Sequence, residues 1–531
     1  MTQNHSISKT LERFRSFRYI LVLEGVAVGA LSGFVIVLFR LVLEHADTLL
    51  QGALQYGKEN AWFIPMWFCI LAVVSYLVYR LLKWEPMISG SGIPQVEGEM
   101  EGKLNQNWWK VLVAKCTGGV LSIGCGLSLG REGPSIQLGA MAAKGFSRLT
   151  RRMKTEERLL MTCGASAGLS AAFNAPFAGV LFSLEEVHKN FSPEVLLSTM
   201  ASSITADFIA RNVFGLAPIF SFHVPQMMPL SQYGHVILLG ILLGLLGVVY
   251  NLSIGASQKL YGKIKWEPLR LLIPFLCAGA LGFTLPEVLG GGHPLALKIA
   301  EGKFALWMLC LLFAVKFVFS MVSFGSGAPG GIFLPLLVMG SMIGSIYYGG
   351  AGALHLAPDG LLGNFLILGM AGYFSAIVRA PITGIILISE MTGSFNHLLT
   401  LTIVSLFAYL IPDLLKCRPI YDSLLRRLLE KQSPGSKPAA NGEKVLIDSV
   451  ISHGSAAENR TVSDIVWPEH CLVVSVMRGE EELVPKGNTV FRAGDRIILL
   501  CDENYASDAH RTLEHQCQRV RVGQKDRRES L

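Results

Sequence analysis

One glutamate stands where the chain otherwise avoids charge. Glu132 lies in "GLSLGREGPSIQLGA" (126–140), beside Arg131, between glycines and within apolar sequence. On membrane-insertion scales an Asp, Lys or Arg at a helix centre is unfavourable by roughly 2.5–3.5 kcal/mol, so such a residue is expected to hold a task or a partner. At a helix start, the helix end favours the carboxylate while desolvation disfavours it. A carboxyl group in that balance can stand in for an anion, take up a proton and swing away. The structural alternative is a loop pairing of Glu132 with Arg131. A second acid pair, Glu185 and Glu186, ends the apolar segment "LFSLEEVHKN" (181–190), where Glu186 also reads as a helix-end acid near His188 and Lys189.

Three glycine- and proline-rich breaks interrupt the apolar sequence: "SGSGIP" (89–94), "LGREGP" (129–134) and "GSGAPGGIF" (325–333). The first holds Gly90, Ser91, Gly92, Ile93 and Pro94; the second Gly130, Arg131, Glu132, Gly133 and Pro134; the third Gly325, Ser326, Gly327, Ala328 and Pro329. Glycine permits unusual dihedrals and close backbone approach, and proline suits the first turn of a helix. Each break is therefore expected to expose the free N–H groups of a helix start inside a membrane. Converging ends of this kind bind an anion without a fixed Lys or Arg, which would hold the ion too long for transport. Ser91 adds a hydroxyl donor.

The elements that must position these groups are membrane spans. The chain of 531 residues is 51% hydrophobic and only 16% charged, with mean hydropathy +0.45. Runs such as "EGVAVGALSGFVIVLFRLVLEHA" and "FALWMLCLLFAVKFVFSMVSF" are long enough to cross a hydrocarbon core, and about ten to sixteen helical segments are expected. The formal net charge of +7 is partly topological. Lys9, Arg13, Arg15 and Arg18 precede the first span and predict a cytoplasmic N-terminus without a removable signal peptide. The basic charges flank apolar spans, which argues against nucleic acid as a partner. The ten cysteines have no metal-ligand spacing, and neither metal nor cofactor is expected.

The membrane part repeats itself. "GASAGLSAAFNAPFAGVLFSLEE" (164–186) aligns without gaps on "GMAGYFSAIVRAPITGIILISEM" (369–391), so Glu185 falls on Glu390 and predicts a shared structural role. Glu186 falls on Met391 and breaks the symmetry. Repeats with matched broken helices point to a transport site near the midplane. Residues 1–18 read as a basic cytoplasmic segment, 19–425 as the membrane domain, 431–442 as a linker, 443–510 as a small domain with strand-like runs "EKVLIDSVI", "CLVVSVM" and "TVFRAGDRIILLC", and 511–531 as a basic tail.

Together "GSGIP", "GREGP" and "GSGAPGGIF" resemble the anion-selectivity motifs of the CLC chloride channels and chloride/proton exchangers. The resemblance implies an all-α polytopic fold with two inverted repeats (about 19–215 and 232–425) and broken helices, assembled as a homodimer with one pore per subunit. It implies a central chloride held by the Ser91 hydroxyl, the Tyr421 hydroxyl and the backbone N–H groups of Ile332 and Phe333. It also implies Glu132 as an extracellular gating glutamate and Glu186 as an internal proton-transfer glutamate. Alone, Tyr421 reads as an interfacial aromatic anchor. Ser91 stands where a nitrate-preferring filter has proline, which favours chloride, and Gln95 stands where many relatives carry Glu. "VVSVMRGEEELVPKGNTVFRAGDRIILL" (473–500) resembles a TrkA-C domain, which implies a small α+β cytoplasmic regulatory domain for an unidentified ligand.

These features predict a chloride/proton antiporter integral to a bacterial inner membrane, in contact with its lipids, with both termini cytoplasmic. The same fold also serves passive chloride channels, regulated by voltage or ligand, and only coupling separates the two. A cation/proton antiporter, suggested by the TrkA-C likeness, would need midplane carboxylates or carbonyls where this chain presents N–H groups. No HExxH motif points to an enzyme.

Overall fold

The computed structural model describes residues 4–502, apart from 190–192, 221–223, 225, 226, 355, 357, 359, 433–443, 468–470 and 480, and also residues 513, 516 and 517. The expected linker falls almost wholly outside the described residues, as does most of the basic tail. Met1–Leu429 and Glu430–Leu531 form two compact units.

The first unit is helical. Its first half holds α1 (Asn4–Glu59), α2 (Phe63–Trp84), α3 (Ile93–Met100), α4 (Trp108–Gly124), α5 (Glu132–Leu149), α6 (Lys154–Phe173), α7 (Pro176–Phe182) and α8 (Pro193–Phe214). The second half holds α9 (Tyr233–Gly262), α10 (Glu267–Thr284), α11 (His293–Ala300), α12 (Leu306–Gly325), α13 (Phe333–Ala353), α14 (Leu362–Val378), α15 (Pro381–Thr392), α16 (Leu398–Leu414) and α17 (Ile420–Gln432). Among the described residues six helices are long and apolar enough to cross a membrane. Helices α3, α7 and α11, of 8, 7 and 8 residues, are too short to do so. The expected first span is only the middle of α1, a single helix of 56 residues that runs on through "ADTLLQGALQYGKE" without a proline to stop it.

The halves are built alike. Helices α5 and α6 approach so closely that a Cβ on Gly139 would strike the Gly164 carbonyl, and α13 and α14 do the same at Gly340 and Gly369. Small residues at such crossings let backbones meet where lipid supplies no hydrophobic drive. The reciprocal pair Gly130 N–H to Gly331 O and Gly331 N–H to Gly130 O, both 2.7 Å, joins the halves as an isolated antiparallel bridge.

The second unit is a four-stranded antiparallel sheet in the order β1-β4-β2-β3, with β1 Lys444–Val450, β2 Cys471–Arg478, β3 Glu481–Leu483 and β4 Arg496–Asp502. Ile451, Val476, Phe491, Ile497 and Leu499 form its core with Leu513 and Cys517. The expected strand over 489–501 begins only at Arg496. Gly494 is left-handed there (φ 88°), and the Asp495 carboxylate ties the turn to Arg492 N–H and to the Arg478 guanidinium.

Candidate functional site

The three breaks converge. Gly90 N–H donates to Gly327 O (3.3 Å) and Gly330 N–H donates to Gly90 O (3.0 Å), stitching the first break to the third. The Gly130–Gly331 bridge stitches the second to the third. The first meets the second where Ser91 Oγ lies so near Gly133 that any side chain there would clash. Each break ends in a helix start: Gly92 (φ 96°) precedes α3, Arg131 precedes α5 and Ile332 precedes α13. In α13 the first of these amides to donate to a helical carbonyl is Leu336 N–H, to Ile332 O (3.0 Å), so the N–H groups of Ile332 and Phe333 lie ahead of the intrahelical ladder. Ser326 holds the third turn, donating to Ser323 O (2.7 Å) and accepting from Ala328 N–H (3.2 Å).

Around this junction lie buried polar groups without partners. Ser91 is 2% exposed, Glu132 and Tyr421 0%, and Ser91 Oγ, Tyr421 Oη and both Glu132 carboxylate oxygens lack a hydrogen-bond partner. The Glu132 carboxyl lies against its own N–H and that of Leu334 without forming a full hydrogen bond to either. Arg131 turns away to Glu44 (3.8 Å), so the loop pairing with Glu132 is not what forms. Phe333 packs on Phe374 (centroids 4.7 Å) and Phe182 (5.9 Å), and Phe182 meets Tyr421 edge-on (6.5 Å). That stack brings Tyr421, second residue of α17, into the cluster formed by the breaks. A buried polar group unsatisfied within the protein is unfavourable by roughly 1–3 kcal/mol, which a bound anion accepting from Ser91, Tyr421 and the α13 amides would relieve. A cavity of about 960 Å3 is lined by Arg40, Gly130, Arg131, His293 and Leu334, the last of these carrying the N–H that lies against the Glu132 carboxyl.

Glu186 lies in a π-helical turn over Ser183–Val187 that follows α7. It is 6% exposed, and its Oε1 has no partner. Glu185, its neighbour, accepts from Ile382 N–H (3.3 Å) and Thr383 N–H (2.9 Å) at the start of α15.

Sequence reasoning passed over a fourth break. "LGGGHP" (289–294) lies exactly two hundred positions on from "SGSGIP", a register visible in the sequence itself; Gly290 and Gly292 are left-handed like Gly90 and Gly92, and α11 starts behind them. Two lysines went unremarked. Lys115 Nζ donates to Ile88 O (2.8 Å) and Gly90 O (2.7 Å), and Lys316 Nζ to Val288 O (2.8 Å) and Gly290 O (2.6 Å). A lone lysine in an apolar run was the available signal. Gln95, set apart only as a departure, donates to Ser89 O (2.7 Å) and braces the first break.

These features define a polytopic membrane protein of two related halves whose broken helices meet at an anion-ready centre. Residues 70–413 match the voltage gated chloride channel family, and 446–513 match the TrkA-C domain. The chain belongs to the voltage gated chloride channel (CLC) family. It is 35% identical over 447 residues to the H(+)/Cl(-) exchange transporter ClcA of Salmonella paratyphi B, covering 81% of this chain and 93% of that one. The ClcA of Salmonella arizonae is 36% identical over 441 residues, covering 80% and 92%. Among solved structures, a slow cyanobacterial Cl−/H+ antiporter superposes with TM-score 0.74 at 29% identity, covering 78% of this chain and 98% of that one. A eukaryotic CLC transporter shares the fold with TM-score 0.64 at 21% identity, covering 78% and 75%.

Proposed function

We propose that the protein is a chloride/proton antiporter. The observation that carries this reading is the cluster of buried, unpartnered groups: Ser91 Oγ, Tyr421 Oη and the Glu132 carboxylate beside the α13 amides. Hydroxyls and N–H groups suit an anion, and a carboxylate in the same place suits an alternative occupant of the same site. Chloride is held by Ser91, Tyr421 and the N–H groups of Ile332 and Phe333. Ionised Glu132 fills the neighbouring anion position; protonated, it loses its attraction to the helix ends and releases that position. The ionised carboxylate and an anion then exclude one another from that position, and proton uptake admits the anion, which is the basis of exchange. Glu186 supplies a titratable group on the inner side, off the route past Ser91 and Tyr421.

A passive channel of the same fold is the second reading. Glu186 argues against it, since a buried carboxyl with an open oxygen is an unfavourable ornament in a protein that moves no protons. The protein works as a homodimer in a bacterial inner membrane with cytoplasmic termini, and the TrkA-C domain binds a regulatory ligand. Purified protein in liposomes, with external pH and chloride recorded together, tests the assignment. An outward chloride gradient must drive proton uptake when no proton gradient is imposed; chloride efflux without proton movement defeats the exchanger reading.

A further inference from the structure

We propose that Lys189 is the positioning residue of the proton route: by binding Glu97 and Asp422 it leaves Glu186 as the carboxyl group without a cationic partner, the one that takes the proton. The proposal rests on the exchange reading above. Lys189 follows the π-helical turn in a left-handed conformation (φ 54°). Its ammonium contacts Glu97 Oε1 and, at 2.9 Å, Asp422 Oδ1. Glu97 lies on α3, the short helix that starts behind Ser91, and Asp422 follows Tyr421 on α17. One cation thus ties together the two elements that present the hydroxyl ligands.

The charges acting on Glu186 are Glu97, Lys189, Asp422 and Glu185. Glu185 is taken up by the α15 amides. Of the elements packed on this turn, α7 has no titratable residue, and α6 presents Thr162 to His188 Nδ1 (3.1 Å). The α6 charges nearest Thr162 in sequence are Arg158 and Glu157, and Glu157 is paired with Arg148. Glu186, Glu97 and Asp422 are therefore three interacting acids served by one ammonium. Like charges so placed do not all ionise readily, and a direct cation favours the ionised form of its own partners. Lys189 contacts two of the three acids; Glu186 Oε1 has no partner. An arriving proton goes to Glu186. Without Lys189 both acids beside Glu186 lose their cationic partner and compete with it, and the hold between α3 and α17 is lost as well.

The test compares the parent with Lys189→Met and Lys189→Arg, full-length and in liposomes, reading protons moved per chloride and the dependence of chloride flux on internal pH. Lys189→Met is expected to lose most proton uptake while still passing chloride, and to move the pH profile about one unit to the alkaline side. Lys189→Arg is expected to restore both. A parental ratio and profile in Lys189→Met overturns the proposal, and so does failure of Lys189→Arg to restore them. A parent that moves no protons defeats the exchange reading instead; the pH profile of chloride flux then decides on Lys189, an unshifted profile overturning it.

Discussion

Glu185 and Glu390 each cap a helix that belongs to the other's half. Glu185 accepts from the N–H groups of the second and third residues of α15, Ile382 and Thr383, and Glu390 accepts from those of the second and third residues of α7, Phe177 (3.1 Å) and Ala178 (2.8 Å). Each capped helix opens with a proline, Pro381 or Pro176, which has no N–H to satisfy. The shared role expected from the repeat is therefore reciprocal capping across the interface of the halves. Charge-assisted bonds to helix amides are worth roughly 1.5–3 kcal/mol, so Glu185→Gln and Glu390→Gln should each lower thermal stability in detergent by similar amounts. A loss confined to one variant would break the equivalence.

On the proposed role of Glu132, Glu132→Gln approximates the protonated form and should hold the gate open. Proton movement should disappear while chloride flux persists. Tandem flux recordings check this, and proton flux at the parental rate would remove Glu132 from the pathway.

Lys115 and Lys316 are equivalent in geometry but not in place. Lys115 holds the carbonyls of Ile88 and Gly90, immediately before Ser91; Lys316 holds those of Val288 and Gly290 in the fourth break, which carries none of the proposed ligands. Replacing Lys115 by Met removes the donor to Ile88 O, while Gly90 O keeps Gly330 N–H; replacing Lys316 removes the donor to Val288 O and Gly290 O. At roughly 1–3 kcal/mol for each carbonyl left without a donor, both variants should be less stable. Only Lys115→Met should also weaken chloride binding, by about tenfold if a single ligand contact of about 1.4 kcal/mol is lost. Calorimetric titration with chloride measures this; equal weakening in both variants would mean a general loss of packing.

Much of this site was legible because glycine and proline mark helix starts by their own geometry. Ser91, Glu132, Ile332 and Phe333 stand at the breaks, and the structure brings those breaks together. Tyr421 was legible only through the family resemblance, since a tyrosine at the end of a span ordinarily anchors an interface. Pairings such as Lys189 with Asp422, 233 positions apart, have no local signature, because a charge at a span end looks the same whether solvated or paired. The length of α1 was missed for a related reason: hydropathy falls at the end of a span whether or not the helix continues. In the second unit, strand propensity over 489–495 was overridden by the tertiary tie between Arg478 and Asp495.

That tie makes the second unit acid-sensitive. Burial works against ionisation of Asp495, but the Arg478 guanidinium (2.7 and 2.9 Å) and the Arg492 N–H (2.8 Å) outweigh it and hold the carboxyl below its usual 3.8. A depressed folded-state value gives stabilisation that is complete above 3.8 and is lost as pH falls through the lower value. Asp495→Asn should destabilise this unit at neutral pH by roughly 1.5–3 kcal/mol and flatten its loss toward low pH. Pulse proteolysis of the full chain in urea, followed on fragments from 444–502, reads both effects; a variant as resistant as the parent at neutral pH would show that the tie is not stabilising.

The central claim is that chloride and protons are moved in obligatory opposition. The zero-current potential of the reconstituted protein, measured under a chloride gradient while the proton gradient is varied, tests it most directly. Coupled exchange predicts a potential displaced from the chloride equilibrium value, following pH in the parent, and returning to the chloride value in Glu186→Gln. A parental potential fixed at the chloride value at every pH gradient would contradict exchange and leave a chloride channel.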